Sequence, residues 1–333
     1  MKILYAATDT IAVPLLSLLG EKGLVGAVFT APDAPGKRGK TLIPTPVKVK
    51  ALELGLPVYT PEHLKKEERE LVKSLSVDTL LSFCYGKIFG PKFLALFDHT
   101  FNVHPSPLPK YRGCAPIYAS IKNLDRETAI TLQEIGLGID EGRVFASLPL
   151  SLNGDETTLT LEAKVSNLVP EFVFDALSKI ETITPVEQKG EASYTSFINK
   201  EDGKIDWHKS AEEIHALVRA CIPWPRAYCT LGNDKLLITG VYGSAFSPFS
   251  PSTEEPGTVV ALEKGKGLKI ATGSGYLYVT RVLPPMKKEM DATSYVNGNR
   301  SIIGTVLHLL TTGGIITGNT YSINMAHPST ESV

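Results

Sequence analysis

Three residues of this chain could carry out acid–base and electrostatic chemistry together: Asn102, His104 and Asp140. Asn102 and His104 follow an apolar run and alternate along the chain, so on a strand their side chains would point to the same side. An amide N–H can stabilise an oxyanion, and an imidazole with an ordinary pKa of about 6.5 can carry a proton at neutral pH. The carboxylate of Asp140 would orient the imidazole and favour its protonated form.

Residues that interrupt regular structure flank both parts of this set. The proline-rich stretch 105–109 stops the strand after His104 and stiffens the following loop. Glycines in the stretch 136–142 let the backbone around Asp140 turn sharply and approach a ligand. Each feature alone has a simpler explanation, because an Asn-x-His pair on a strand is more often structural and a turn aspartate commonly bonds its own loop. A catalytic interpretation therefore depends on the rest of the chain.

The elements that must position these residues alternate between strands and helices in the first half of the chain. Strands are predicted at 2–7, 25–30, 79–84, 100–103 and 129–133, and helices at 12–20, 47–54, 65–75 and 157–178. This alternation predicts an α/β fold with a doubly wound, mainly parallel sheet of Rossmann type. Sites in such folds lie beyond the carboxyl ends of the strands, where these polar residues stand.

The second half of the chain has a different pattern. It is polar from 185 to 204, then has one helix candidate at 211–220 and short strand candidates separated by glycine and proline turns. Short strands at close spacing predict a small open β-barrel of OB-like form. We therefore predict a catalytic domain at 1–184, a linker at 185–204, a C-terminal barrel domain at 205–312 and a flexible tail at 313–333.

Composition limits the possible functions without choosing among them. The 333 residues are 43% hydrophobic and 21% charged, with a net charge of −1, which excludes a strongly basic nucleic-acid-binding protein but allows a local basic surface. The four cysteines have neither metal-type nor disulfide-framework spacing, and this usage fits a reducing cytoplasm. The first apolar run is too short for a signal sequence or a membrane span, so no membrane association is predicted.

A basic loop lies between residues 33 and 48. Lys37, Arg38 and Lys40 concentrate positive charge among glycines and prolines, and Lys48 follows. The P-loop spacing is missing, and no Gly-x-Gly-x-x-Gly follows the first strand, which argues against a dinucleotide enzyme such as a dehydrogenase. Mobile basic loops suit contact with a nucleic-acid backbone, although most loops of this kind are simply solvated.

Taken together, these motifs resemble those of the methionyl-tRNA formyltransferase family. Its signature is Asn-x-His-x-Ser-x-Leu-Pro, then Arg-Gly-x-Ala-Pro, then Gly-x-Asp-x-Gly, and these correspond to 102–109, 112–116 and 138–142. The likeness runs from about residue 2 to residue 309 and includes the late Lys287-Lys288-Glu289-Met290 run. Folate-dependent formyltransferases in general share the catalytic core. The basic loop is the part that resembles the enzyme acting on initiator tRNA.

The resemblance implies an enzyme that moves the formyl group of 10-formyltetrahydrofolate, its co-substrate, to initiator methionyl-tRNA, giving N-formylmethionyl-tRNA for translation initiation. It implies Asn102, His104 and Asp140 as catalytic residues and no metal. A folate cleft is expected along Phe83, Tyr85, Gly86, Ile88, Leu94, Ser106, Pro107, Leu108, Pro109 and Gly138. Contacts with tRNA are expected from Lys37, Arg38, Lys40, Lys48, Lys287 and Lys288. The family also implies a cytoplasmic monomer.

Two alternatives and several departures accompany this resemblance. A formyltransferase acting on an amino sugar nucleotide would share the catalytic core but have no use for the basic loop, and a folate- or RNA-binding protein would need no catalytic set. Ala7-Thr8-Asp9 stands where Gly-Thr-Pro is usual after the first strand. Pro107 replaces a leucine, Arg143 an acidic residue and Met286 a glycine. None of these changes removes a proposed catalytic group.

Overall fold

A computed structural model describes residues 1–36 and 41–308. The predictions for Lys37, Arg38 and Lys40 and for the tail from 313 lie outside these residues. Elements of the first part follow the predicted alternation closely. They are β1 (Ile3–Ala7), α1 (Val13–Glu21), β2 (Val25–Phe29), β3 (Ala34–Pro35), β4 (Leu42–Ile43), α2 (Pro46–Glu53), β5 (Val58–Tyr59), α3 (Lys66–Ser74), β6 (Thr79–Phe83), α4 (Pro91–Leu94), β7 (His99–His104), β8 (Arg112–Gly113), α5 (Pro116–Lys122), β9 (Glu127–Glu134), β10 (Val144–Ser151), α6 (Thr158–Ser178) and β11 (Tyr194–Thr195).

The main sheet has seven strands in the order β10-β9-β7-β6-β1-β2-β5. The five strands from β7 to β5 pair in parallel, and β9 and β10 continue the sheet with antiparallel pairing. This confirms the predicted doubly wound, mainly parallel sheet. The crossover in strand order beside β1 places the carboxyl ends of β6 and β7 at one edge, where ligands bind in open α/β sheets.

Both faces of this sheet are covered. In β1, Ile3 and Tyr5 pack with α1, α2 and α6, whereas Leu4 and Ala6 pack on the other face with α3 and α4. A parallel strand buried on both faces must be apolar throughout, which explains the continuous run Ile-Leu-Tyr-Ala-Ala at the start of the chain. The rigid sheet holds the ends of its strands at fixed positions.

Strand β10 was absent from the predicted set of strands. It is an edge strand in which only Phe145 and Leu150 are buried, and it contains Pro149. Proline is tolerated at a sheet edge because its missing N–H can face away from the partner strand. The apolar signal of such a strand is weak, and this is why the sequence pattern did not show it.

The second part of the chain is built on one antiparallel sheet. Its elements are α7 (Ala211–Ala220), β12 (Ala227–Leu231), β13 (Asp234–Val241), β14 (Val259–Glu263), β15 (Gly267–Ala271), β16 (Tyr276–Leu283), β17 (Met290–Asp291) and α8 (Ala292–Gly298). The strand order is β12-β13-β16-β15-β14, with β17 beside β16. Helix α7 begins with a capping box, in which Ser210 and Glu213 each accept a hydrogen bond from the other's backbone N–H.

Residues 305–308 join the two edges of this second sheet. Thr230 of β12 exchanges two backbone hydrogen bonds with His308, each at 2.9 Å. Beside β14, Val259 donates to the carbonyl of Thr305 and Leu307 donates to the carbonyl of Gly257, both at 2.9 Å. The segment therefore closes the open side of the antiparallel sheet and gives it the barrel-like form that the short strands predict.

The two parts meet along α7. The Thr158 hydroxyl donates to the carbonyl of Ala220 at 2.7 Å, and the Arg219 guanidinium donates to the carbonyl of Glu156 at 2.7 Å. Next to them, the Ala245 N–H donates to the carbonyl of Gly154 at 2.8 Å. Two of these bonds run from a buried side chain to a backbone carbonyl, and the third joins two backbone groups. They therefore fix how the two parts pack against each other. No helix of the described ranges combines the length and apolar content needed to cross a bilayer.

Candidate active site

The carboxyl end of β7 carries the first two proposed catalytic residues. Asn102 pairs with Gln133 of β9 on one side and with Ser82 of β6 on the other. His104, the last residue of β7, pairs with Thr131 and is buried, with 4% of its surface exposed. Strand pairing, on both sides at Asn102 and with β9 at His104, thus fixes the backbone from which the amide and the imidazole project.

The carboxylate of Asp140 brings the predicted residues together. Its Oδ1 accepts hydrogen bonds from Gln133 Nε2 at 2.7 Å and from Asn102 Nδ2 at 3.3 Å. Its Oδ2 accepts from the Gly113 N–H at 2.8 Å and lies 3.5 Å from His104 Nδ1. One carboxylate therefore contacts β7, β9 and the loop that contains β8.

His104 is held through both ring nitrogens. Nε2 lies 2.8 Å from the carbonyl oxygen of Tyr111, and because a carbonyl only accepts, Nε2 carries a hydrogen. Nδ1 is the nitrogen that faces Asp140. Burial lowers the pKa of His104 below its ordinary value, while the Asp140 carboxylate and the bond to Tyr111 act in the opposite direction. The ring is therefore neutral at rest, and a stabilising carboxylate stands beside its basic nitrogen.

The loop that follows β7 is fixed by buried hydrogen bonds and comes close to Asp140 at a glycine. Ser106 is fully buried, its hydroxyl donates to the Lys110 carbonyl at 2.6 Å, and its own carbonyl accepts from Thr131 at 2.6 Å. Gly113 has a φ of +101°, and a Cβ there would overlap the carbonyl of Thr195. Only glycine both adopts this φ readily and lets its N–H reach Asp140.

Two residues of this site were not among the predicted ones. Gln133 donates to Asp140, and the backbone N–H of Gly113 does so from the other side. Gln133 is 1% exposed, at the end of an apolar strand that runs antiparallel to β7. A polar residue ending an otherwise apolar strand is the signal that could have pointed to it. No sequence signal identifies a single backbone N–H.

The predicted folate-binding residues fall into two groups. Gly86, Ile88 and Gly138 are exposed, and Pro107 and Leu108 are partly exposed, so these five offer surface to a ligand. The others pack inwards: Phe83, Ser106 and Pro109 are buried, Tyr85 stacks on Phe89 with ring centroids 5.6 Å apart, and Leu94 is partly buried against the same cluster. The folate contacts expected of these residues stay a prediction, in which the exposed group would touch the ligand and the buried group would support the wall from behind.

The predicted tRNA-binding lysines are placed differently from one another. Lys48 on α2 forms an ion pair with Asp33, with Nζ 2.8 Å from each carboxylate oxygen, so its charge is balanced locally. The tRNA contact expected of Lys48 stays a prediction. Lys287 and Lys288 are exposed in the turn between β16 and β17, and neither takes part in an ion pair within the part of the chain that the structure describes.

The departures from the family pattern have visible structural effects. Met286 has a φ of +57° and a fully exposed side chain, which explains why glycine is usual at this position. Arg143 forms two hydrogen bonds with the Glu134 carboxylate, at 2.6 and 3.0 Å. After Asp9, a 3-10 turn at Thr10–Ala12 leads into α1. Across residues 1–36 and 41–308, no cluster of His, Cys, Asp and Glu side chains could hold a metal ion.

Solved structures of similar fold include several formyltransferases. WlaRD, a sugar 3N-formyl transferase solved in the presence of dTDP and 5-N-formyl-THF, has a TM-score of 0.61 at 20% identity, covering 86% of this chain and 99% of that one. A methionyl-tRNA formyltransferase from Clostridium thermocellum has a TM-score of 0.53 at 18% identity, covering 74% and 95%. HypX from Aquifex aeolicus, in complex with tetrahydrofolic acid, has a TM-score of 0.58 at 18% identity; the match covers 89% of this chain but 47% of HypX.

Sequence comparison gives the family. The model described as "Formyl transferase" matches residues 4–177, and "Formyl transferase, C-terminal domain" matches residues 197–300. Methionyl-tRNA formyltransferase of Marinobacter nauticus is 34% identical over 310 residues, covering 91% of this chain and 98% of the relative. That of Alkaliphilus metalliredigens is 36% identical over 314 residues, covering 92% and 98%. The chain therefore belongs to the methionyl-tRNA formyltransferase family and is an enzyme of formyl transfer.

Proposed function

We propose that this enzyme transfers the formyl group of 10-formyltetrahydrofolate to the α-amino group of methionine on initiator methionyl-tRNA. Family membership supports the reaction and its acceptor, and the folate-bound proteins of similar fold support a folate donor. The observation that carries the proposal is the Asp140 carboxylate in contact with both Asn102 and His104. Translation initiation requires the enzyme in the cytoplasm, and we propose that it acts there as a monomer.

The reaction exchanges one bond to carbon for another. A C–N bond forms between the methionine nitrogen and the formyl carbon, and the bond from that carbon to the folate nitrogen breaks. The amine loses a proton and the departing folate nitrogen gains one, so no net charge is created. Because a neutral amine is already a good nucleophile, the protein's task is to orient the groups, stabilise negative charge on the formyl oxygen and move the proton.

Asn102 is the proposed donor to the formyl oxygen. One N–H of its amide is directed to Asp140, with Nδ2 and Oδ1 3.3 Å apart, and this contact fixes the plane of the amide. The amide has a second N–H, which is available to the substrate. A donor already oriented before the reaction stabilises the developing charge without the cost of reorientation.

His104 is the proposed proton carrier, and its geometry selects the atom. Nε2 is committed to the Tyr111 carbonyl, so a proton can be gained or lost only at Nδ1. That atom lies 3.5 Å from Asp140 Oδ2, and the carboxylate stabilises the ring when it is protonated. Asp140 thereby serves both groups, orienting the amide through one oxygen and supporting the imidazole through the other.

The described residues of the proposed binding surfaces for folate and tRNA are exposed or partly exposed. We propose that the folate lies along Gly86, Ile88, Pro107, Leu108 and Gly138, since these offer apolar or backbone surface in the loops that follow β6 and β7 and in the Asp140 loop. The exposed Lys287 and Lys288 are proposed to contact the phosphates of tRNA, together with Lys37, Arg38 and Lys40 of the basic loop.

A formylation assay with two acceptors tests this function. Purified enzyme and 10-formyltetrahydrofolate are offered either charged initiator tRNA or an amino sugar nucleotide, and formylated product is measured. We expect product with methionyl-tRNA. Asn102→Ala should lower kcat by about 10²–10³-fold, the usual cost of losing an oriented oxyanion donor. Asn233→Ala, in an exposed turn of the barrel, is the matched control. Product with the sugar acceptor alone, or near-normal turnover by Asn102→Ala, would contradict the proposal.

A further inference from the structure

The segment between the two domains returns across the catalytic site. Val186 exchanges two backbone hydrogen bonds with Val144 at the start of β10, at 2.7 and 2.9 Å. Further along, β11 (Tyr194–Thr195) pairs in parallel with β8 (Arg112–Gly113). Gln188 lies between these two attachments. The stretch 185–195, predicted as part of a linker, is thus fixed to the catalytic domain on both sides of Gln188.

The side-chain amide of Gln188 connects two loops of the site. Its Nε2 donates to the carbonyls of Asp140 and Gly142, each at 2.8 Å. Its Oε1 accepts from Nη2 and Nε of Arg112, at 2.8 and 3.2 Å. Both N–H donors and both lone pairs of the amide are therefore in use, and no other described side chain bonds the two carbonyls of the Asp140 loop.

The Asp140 backbone needs such a support. Its φ is +54°, in the left-handed region that non-glycine residues avoid, at a cost of about 1–2 kcal/mol. The Asp140 side chain bonds towards β7 and β9, while its carbonyl bonds to Gln188. Because the direction of a carbonyl fixes the plane of its peptide group, the two Gln188 bonds hold the peptide groups that follow Asp140 and Gly142, and with them the loop from which the Asp140 carboxylate projects.

We propose that Gln188 is a positioning residue for formyl transfer, which holds the Asp140 loop so that its carboxylate meets Asn102 and His104. The inference rests on the proposed function of those three residues. Gln188 bonds to the backbone carbonyl of Asp140 but makes no hydrogen bond to the side chains of Asn102, His104 or Asp140, so it acts through the loop. Its effect should fall on the chemical step rather than on the affinity for either substrate, because loose catalytic groups lower turnover without removing binding contacts.

Two substitutions separate the donating half of the amide from the accepting half. Gln188→Ala removes both halves. Gln188→Glu has nearly the same shape and keeps an acceptor for Arg112, but it loses the N–H donors and turns an oxygen towards two carbonyls. Lys189→Ala, at the exposed neighbouring position, is the matched control. Initial rates with methionyl-tRNA and the formyl folate give kcat and both KM values, and thermal unfolding reports folding.

We expect kcat to fall by roughly 10–100-fold in both Gln188 variants, which is the loss that a small misplacement of catalytic groups causes. Both KM values should stay within about twofold of wild type. Wild-type KM values with an unchanged kcat in Gln188→Glu would overturn the inference, as would a rise in KM with kcat preserved. If Gln188→Ala does not fold, the nearly isosteric Gln188→Glu decides. A wild-type enzyme that does not formylate methionyl-tRNA would instead refute the proposed function.

Discussion

Two buried histidines of this enzyme differ in the charge that stands beside the ring. His104 lies in the catalytic site, with the Asp140 carboxylate 3.5 Å from its Nδ1. His215 lies in α7 at the domain junction, where its Nδ1 accepts a hydrogen bond from Arg219 Nε at 2.9 Å. Burial lowers the pKa of both rings. The carboxylate opposes this effect at His104, whereas the guanidinium adds to it at His215 and the pKa falls to about 4.

The difference shows how one residue type serves two purposes. A buried imidazole beside a carboxylate can take up a proton during turnover, because the resulting cation has a partner. A buried imidazole beside a guanidinium stays neutral. His215 must be neutral, because Nδ1 needs a free lone pair to accept the hydrogen bond from Arg219. Arg219 also donates to the Glu156 carbonyl, so the neutral His215 orients a side chain that holds the two domains together.

The largest expected effect is on turnover. His104→Ala should lower kcat by about 10²–10⁴-fold, the range found for general acid–base groups. His215→Gln is the matched variant because glutamine can still accept from Arg219, and it should leave kcat within about threefold, since it lies outside the catalytic contacts. Single-turnover formylation of methionyl-tRNA measures both. Equal losses in the two variants would show that the comparison between the histidines is mistaken.

A second expectation concerns stability and pH. The unfolded chain protonates His215 near the ordinary value of about 6.5, whereas the folded protein keeps it neutral down to about 4. The unfolded state therefore binds more protons in this window, and the free energy of unfolding falls as the pH falls through it. His215 should account for a loss of about 3 kcal/mol between pH 7 and pH 4.

Urea unfolding of wild type and His215→Gln at several pH values between 4 and 7 measures this contribution. Carboxylates and His104 titrate in both proteins, so the difference between the two curves isolates His215. Wild type should lose more stability on acidification than His215→Gln. Parallel curves would mean that His215 is not held neutral by its surroundings.

The smallest expected effect shows how much of the low pKa of His215 comes from the charge of Arg219. Arg219→Gln removes the positive charge beside His215, so the pKa of His215 should rise towards its ordinary value. The loss of stability on acidification should then shrink by on the order of 1 kcal/mol, equivalent to about one pKa unit. The quantity to compare is the change from pH 7 to pH 4, because the variant also loses the bond to Glu156 at every pH. An unchanged dependence on pH would assign the low pKa to burial alone.

Much of the fold could be predicted because its signals are local. The apolar run of β1 and the periodicity of α6 and α7 each report burial of their own residues, and the bounds of α7 agree with the prediction. Edge strand β10 escaped prediction because a half-exposed strand with a proline has little apolar contrast. Register across strands, such as Asn102 opposite Gln133, is not a local property.

The catalytic site also divides into residues with a local sequence signal and residues whose role depends on distant parts of the chain. Asn102, His104 and Asp140 stand in motifs, and the structure places them in contact. Gln188 donates to a backbone carbonyl of another segment, and Gly113 donates its own backbone N–H to the Asp140 carboxylate, and such bonds need a folded chain to be seen. Lys48 was expected to contact tRNA, and the structure adds an ion pair with Asp33 that the sequence did not indicate. The pairing of charges depends on distances that composition does not contain. The boundaries drawn at 184 and 204 remain predictions.

The seam formed by residues 305–308 has a consequence for the order of folding. Thr230 and its partner His308 are 78 residues apart in the chain, so the barrel domain has no closed edge until its last described strand-like segment has been synthesised. The seven-stranded sheet, by contrast, has all its strands once Ser151 has emerged. Since domains generally fold as units in the order of synthesis, the catalytic sheet can form first and offer α7 a finished surface on which to dock.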